Sequence, residues 1–485
     1  MSADAAVLLA LVLPAVGALG LSLVGRWPNL RETVTLLAGL ATFGTVAGLV
    51  PEVAGGARPG FRATEVLPGL ELEFELEPLG LLYALVASGL WIPTSVYSIG
   101  YMRGHGESNQ TRFFACFALS ISAALGVAFA ANLFTLFLFY ELLTFSTYPL
   151  VTHRGTPEAL AGGRVYLGVL LTTSVGLLLL ALVWTAQLAG TLSFTQGGIL
   201  AGHADPLTGG LLLGLFAFGI GKAALMPFHR WLPAAMVAPA PVSALLHAVA
   251  VVKAGVFSLL KVILYVFGLD FLREGQISLW LMYAASATIL IASLVALRQD
   301  NLKRRLAYST VAQLAYIVLG GALATAGGVL GGGMHIATHA LGKITLFFCA
   351  GAIDVALHKT RVSELDGVGR RMPFTLAAFA LASFSIIGLP PFGGAWSKWY
   401  LLLGAAEGHQ LVFLGVLTLS SLLSAGYLLP VVGRAFFAAP SEPGGGLREA
   451  PALCVAPLGF TALGCLALFF LAPALYALLE PLVRN

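Results

Sequence analysis

Charge is scarce in this chain. Of 485 residues only 10% are Asp, Glu, Lys or Arg, 26 basic against 22 acidic. A soluble domain carries roughly 25%, so a water-soluble globular fold is excluded. Cysteine is scarce too. Cys116, Cys349, Cys454 and Cys465 are scattered through apolar stretches with no CxxC pair. They offer no thiolate cage for zinc or an iron–sulfur centre, so neither a metal nor a redox cofactor is expected. No basic patch is interleaved with aromatics, which argues against nucleic acid as a partner. The first apolar run, about residues 5–25, lacks a preceding basic segment and a convincing cleavage site. It reads as a retained span rather than a signal peptide.

What the chain has instead is apolar length: 58% of its residues are hydrophobic. At about 20 apolar residues per span, fourteen candidates appear. They lie near 4–25, 32–50, 78–100, 112–130, 132–151, 164–187, 209–226, 241–265, 277–297, 305–323, 330–356, 373–402, 411–434 and 454–479. The expected fold is an all-α polytopic membrane protein in a lipid bilayer. Basic residues test the count. Alternate loops collect Arg26, Arg31, Arg103, Arg112, Arg154, Arg164, Arg230, Arg298, Lys303, Arg304, Arg305, Lys359, Arg361, Arg370, Arg371, Arg434 and Arg448 on one side. The other side receives only Arg58, Arg62, Arg273 and Arg484. The positive-inside rule makes the first side cytoplasmic and places both termini outside, in the cell's inner (plasma) membrane. The triplet Lys303, Arg304, Arg305 reads as plain loop charge at a span end. Outside, ELEFELE at 71–77 alternates acid and apolar residues, the period of a strand or hairpin. Inside, the Pro/Gly-rich stretch 436–453 reads as a linker.

Five lysines remain within spans. A cation at a helix centre costs on the order of 2.5–3.5 kcal/mol by insertion scales, so such residues point to an ion path. Lys222 follows FAFGIG and precedes Pro227, the pattern of a broken helix lining a hydrated cavity. A snorkelling side chain is the bland alternative. His229 lies in the Pro-interrupted stretch beyond it. Lys253 sits midway along 241–265, with His247 six residues earlier on another face. Lys261, near the outer end, reads as a snorkeller. His335, His339 and Lys343, at i, i+4 and i+8, form one polar stripe. Two histidines so spaced can bind zinc, but no third ligand is nearby. A proton relay fits better, since neutral imidazole passes protons near pH 7. Lys398 follows a second break built from Gly388, Pro390, Pro391, Gly393 and Gly394. Glu141, in LFLFYELLTF, either stays protonated or meets a cation from another helix. The two breaks lie five spans apart, as a five-span repeat requires.

Five segments carry a resemblance: YELLTFSTYPL, MPFHRWLPAAMVAPAPVSALLHAVAVVKAGVF, NLKRRLAYSTVAQLAYIVLG, HIATHALGKITLFF and GLPPFGGAWSKW. The chain resembles the antiporter-like subunits shared by Mrp-type multisubunit cation/proton antiporters, respiratory complex I (NADH:quinone oxidoreductase) and membrane-bound hydrogenases. Its length and Lys398 are most similar to the D-subunit branch of the Mrp type. The resemblance implies about fourteen helices, with two inverted five-helix repeats and one broken helix in each. That divides the chain into N-terminal spans with an outer acidic hairpin (1–111), two repeats (112–265 and 277–434), and an inner linker with a C-terminal span (435–485). It implies a path from Glu141, paired with Lys222, through Lys253 and the His335/His339 region to Lys398. His229, His247 and Lys343 are accessory candidates. The implied partners are protons, Na+ and other integral membrane subunits of one complex. The implied activity is cation/proton antiport, or proton pumping within an oxidoreductase or hydrogenase complex.

Overall fold

The computed structural model describes residues 2–67, 69–440 and 446–484. Eleven of the described helices are long and apolar enough to cross a membrane. They are α1 (Ala3–Val24), α2 (Pro28–Ala54), α3 (Pro78–His105), α4 (Gln110–Ala128), α5 (Leu133–Val151), α6 (Pro157–Ala189), α8 (Ala240–Phe267), α9 (Leu279–Arg298), α11 (Ala326–Leu357), α14 (Leu411–Phe437) and α15 (Ala452–Phe470). The shorter apolar helices α7 (Pro206–Gly219) and α12 (Pro373–Ile387) end at breaks. Helix α10 (Leu302–Ala322) starts with the Lys303, Arg304, Arg305 triplet, and α13 (Gly394–Glu407) resumes after the second break. This arrangement is compatible with the fourteen-span expectation. One boundary is corrected. The last run is not one continuous helix, because it breaks at Leu471 into α15 and the short α16 (Ala472–Leu479), with Pro473 starting the new helix.

Two faces of the bundle differ in chemistry. On one, strands β1 (Gly60–Leu67) and β2 (Leu70–Glu75) form an antiparallel hairpin. It caps the α4–α5 loop through Glu75 N to Phe129 O (2.7 Å) and Ala131 N to Glu73 O (3.1 Å). Asp4 accepts from Gly60 N at 2.9 Å, and Gln196 Nε2 reaches Arg484 O at 3.4 Å. Both chain ends therefore share the hairpin face. The opposite face holds the arginine-rich loops, clasped by Arg103–Glu32, Arg154–Glu107 and Arg434–Asp366. There Asp300 accepts from the Ser363 hydroxyl and amide, which hold its carboxyl below the usual range. Of the linker 436–453, residues 441–445 lie outside the described residues.

The basic triplet is more than loop charge. Lys303 Nζ donates to Ala238 O at 2.5 Å. Arg305 is buried and donates to Gln299 O (2.8 Å) and Tyr427 O (3.0 Å), tying α10 to α14. At the centre, α8 is buried along its whole length and carries two widened turns, Leu245–Val249 and Ile263–Phe267. Such turns recur at functional sites.

Candidate functional site

Helix α7 stops at Ile220, a single tight turn spans Gly221–Ala223, and Ala224 is left-handed. The turn lies against α6. A methyl group at Gly219 would meet Leu178 N at 2.5 Å, and one at Gly221 would meet Thr173 Oγ1 at 2.3 Å. This seats Lys222 in the bundle core with no exposed surface. Its ammonium donates to Tyr140 O (2.7 Å) and Thr144 Oγ1 (2.6 Å) and lies 3.2 Å from the centre of the Tyr140 ring. Snorkelling is thereby excluded for Lys222.

The anticipated Glu141–Lys222 pair is not a direct contact. Both carboxylate oxygens of Glu141 are buried without a hydrogen-bond partner among the described residues. The physical reason is helical phase. The ammonium lies along α5 on the face of Tyr140 and Thr144, and Glu141 points about 100° away from Tyr140.

Lys253 Nζ lies 2.5 Å from His339 Nδ1, a contact that joins α8 to α11 across 86 residues of sequence. The His339 and His335 rings are 5.7 Å apart. His335 is held at both nitrogens, by Ser397 Oγ (2.9 Å) and Gln313 Oε1 (3.0 Å). Ser397 precedes Lys398 in α13. Lys398 Nζ donates to Ile387 O (3.0 Å), at the open end of α12, and to Ser421 Oγ (3.0 Å). Tyr316 stacks on His335 at 5.6 Å, and Lys398 stands 5.0 Å from the same ring. Lys253, His339, His335 and Lys398 thus form one buried polar track.

Lys343 turns aside from that track. It donates to Ser309 Oγ (2.5 Å) and Leu306 O (3.3 Å), and Ser309 continues to Tyr427 Oη at 2.9 Å. His247 packs on Phe347 at 4.6 Å, with both ring nitrogens unpartnered among the described residues. His229 lies beside Tyr308 at 6.1 Å. Neither histidine makes a hydrogen bond to the track among the described residues. Lys222 approaches it through backbone. Gly255, two residues past Lys253, packs so tightly that a methyl group there would meet Lys222 C at 2.2 Å.

Lys261 corrects another expectation. It does not snorkel. It is 1% exposed and donates to Ala130 O at 2.8 Å, with Glu77 Oε1 at 3.4 Å. In the sequence Glu77 stands out only as part of the alternating hairpin pattern. Sequence reasoning also misses Gln313, Ser397, Tyr316, Tyr140 and Thr144. Gln313, the lone amide in the apolar run of α10, is the one visible signal among them.

The second break opens sideways. A cavity of about 680 Å³ is lined by Leu389, Trp399, Leu422 and Phe469 and reaches Lys398 and Ser421. Its walls are otherwise almost wholly apolar, and Trp399 and Leu422 stand exposed on the bundle surface.

Residues 130–424 match the family described as NADH:quinone oxidoreductase/Mrp antiporter, TM. The chain belongs to that family. It is 35% identical over 388 residues to NADH-quinone oxidoreductase subunit N of Desulforudis audaxviator, covering 78% of this chain and 75% of that one. It is 32% identical over 462 residues to a probable K(+)/H(+) antiporter subunit of Rhizobium meliloti, covering 90% of this chain and 44% of that one. In fold it is similar to a chain of the Mrp complex from Dietzia sp. DQ12-45-1b, with a TM-score of 0.89, 22% identity, and coverage of 100% of this chain and 98% of that one. As a family member it is an antiporter-like, multi-pass membrane subunit, and the relatives include both antiporter and oxidoreductase subunits.

Proposed function

We propose that this subunit carries protons through the buried track, within a complex that exchanges a monovalent cation, Na+, for protons. The observation that carries the reading is the Lys253–His339 contact at 2.5 Å, which joins the two lysine-bearing halves of the molecule. Neither Lys253 nor Lys398 has a carboxylate within ion-pair reach among the described residues. A buried cation without a counter-charge is destabilised and gives up its proton readily. Lys253 can pass a proton to the imidazole pair, and the pair to Lys398. Glu141 acts on Lys222 as a nearby negative charge rather than as a bonded partner. Residues 112–265 and 277–434 act as two inverted repeats, a reading supported by the one broken helix that each contains.

The partners are other integral membrane subunits of the same complex. In this reading the hairpin face and both termini lie outside and residues 359–371 face the cytoplasm of a cell with this chain in its plasma membrane. The support is the uneven distribution of loop arginines. Cysteine labelling that placed residue 365 outside would reverse that topology.

The test is proton transport by the purified complex in liposomes, read by a pH-sensitive dye. Lys253→Met is expected to lower the rate about a hundredfold while the complex assembles. A wild-type rate would remove Lys253 from the path. A second reading, proton pumping inside an NADH:quinone oxidoreductase, is favoured by the 35% identity to a subunit N. Co-purification separates the two: iron–sulfur and flavin subunits would establish the second, small antiporter subunits the first.

A further inference from the structure

The track leaves one buried ion pair unused. Lys261 lies eight residues beyond Lys253 on α8, about 12 Å along the axis toward the hairpin face. Its ammonium sits between Ala130 O (2.8 Å) and Glu77 Oε1 (3.4 Å), 4.8 Å from the centre of the Phe194 ring. Glu77 caps α3, accepting from Leu79 N (2.7 Å) and Gly80 N (2.9 Å). Its Oε2 also accepts from Tyr265 Oη at 3.2 Å. Tyr265 in turn lines a cavity of about 420 Å³ on the hairpin face, together with Arg58, Gln196, Asp270 and Arg484. Between Lys253 and Lys261, Ser258 is buried and its hydroxyl has no partner among the described residues.

We propose that Lys261, Glu77 and Tyr265 form a port for protons between the level of Lys253 and this outer cavity. A clasp alone is a weak explanation. Desolvation offsets most of what a buried ion pair contributes to stability, and Glu77 already caps its helix without the lysine. The cluster stands where a port must stand, on the helix that carries Lys253 and next to a polar cavity. In outward transfer, the neutral Lys261 left by the previous release takes a proton from Lys253 by way of the Ser258 hydroxyl, which restores the ammonium of the ion pair, and the ammonium then passes a proton to the Glu77 carboxylate. Glu77 releases it to the cavity beside Tyr265. The charged groups around the port are Glu75 and Arg58, themselves paired at 3.4 Å, with Asp270 and Arg484 on the cavity wall.

This inference rests on the proton-carrying reading above, so the experiment keeps the two apart. Lys261→Arg preserves the charge and the ion pair but holds its proton far too tightly to relay it. Gln196→Trp, at an exposed loop position, fills the cavity without touching the pair. Both are measured with Lys253→Met in the same liposome assay. The port predicts a loss of about tenfold or more for Lys261→Arg, a slower rate for Gln196→Trp, and a loss for Lys253→Met. A wild-type rate for Lys261→Arg, with Lys253→Met inactive, makes the cluster a structural clasp and overturns the port alone. A wild-type rate for Lys253→Met overturns the underlying reading. If Lys261→Arg fails to assemble, Gln196→Trp decides: slowed transport supports the port and wild-type transport overturns it.

Discussion

The two broken helices hold a lysine in opposite ways. After α7, Lys222 is sealed. It spends its ammonium on a carbonyl and a hydroxyl of α5 and lies on the Tyr140 ring, and the same helix carries Glu141 one residue further on. After α12, Lys398 is buried too but borders a cavity. It caps the open carbonyl of Ile387, touches Ser421, and faces an apolar cavity. A chain break alone therefore does not define a proton site. The first break places its lysine beside a helix that bears an acid. The second supplies a carbonyl from the break itself and an opening to the surface of the bundle. The first arrangement encloses its lysine against one helix, and the second leaves it bordering an apolar cavity that opens at the bundle surface.

The sharpest way to break this contrast is at Lys398. Lys398→Arg is expected to lower proton transport about a hundredfold in reconstituted liposomes, since guanidinium does not deprotonate at a useful pH. Lys398→Ala should be as poor, and Lys398→Glu should keep partial activity because a carboxylate can still cycle. Wild-type transport by Lys398→Arg would make the residue a fixed charge.

Next in size is Glu141→Gln. It should slow transport about tenfold, by removing the negative charge near Lys222. Assembly should be unaffected, because the carboxylate has no hydrogen bonds among the described residues to lose. Unchanged transport would reduce the contrast between the breaks to one of access.

The smallest effect is on stability. A methyl group at Gly394 would sit 1.8 Å from Ser385 O, whereas Gly168 on α6 faces open space. Gly394→Ala should cost at least about 1–3 kcal/mol, read as a lower midpoint in thermal unfolding of the purified complex. Gly168→Ala should not shift that midpoint. Equal midpoints would mean that the second break tolerates a side chain and is not tightly packed.

Both breaks and the presence of five lysines within spans are legible in the chain, because a cation inside an apolar run and a Gly/Pro cluster inside a span are local signals. The hairpin is legible for the same reason, since its alternation lies within a few residues. Partner choice is not. Glu77 and Lys261 meet across 184 positions of sequence, so the acid passes for one tooth of an alternating strand and the lysine for a snorkeller. Nothing near Lys222 announces that Tyr140 and Thr144 take the place of Glu141. Gln313 and Ser397 matter only because α10 and α13 flank His335, which is a property of helix packing rather than of spacing.

The contact between Gly255 and the main chain at Lys222 has a mechanical consequence. A side chain would act as a spring between α8 and the broken turn, absorbing small displacements by changing rotamer. Here backbone rides on backbone, and no rotamer is available to take up slack. A backbone displacement of the broken turn toward α8 would press on that helix within one turn of Lys253. The broken turn and α8 are therefore held against each other with no room for a single methyl group between them.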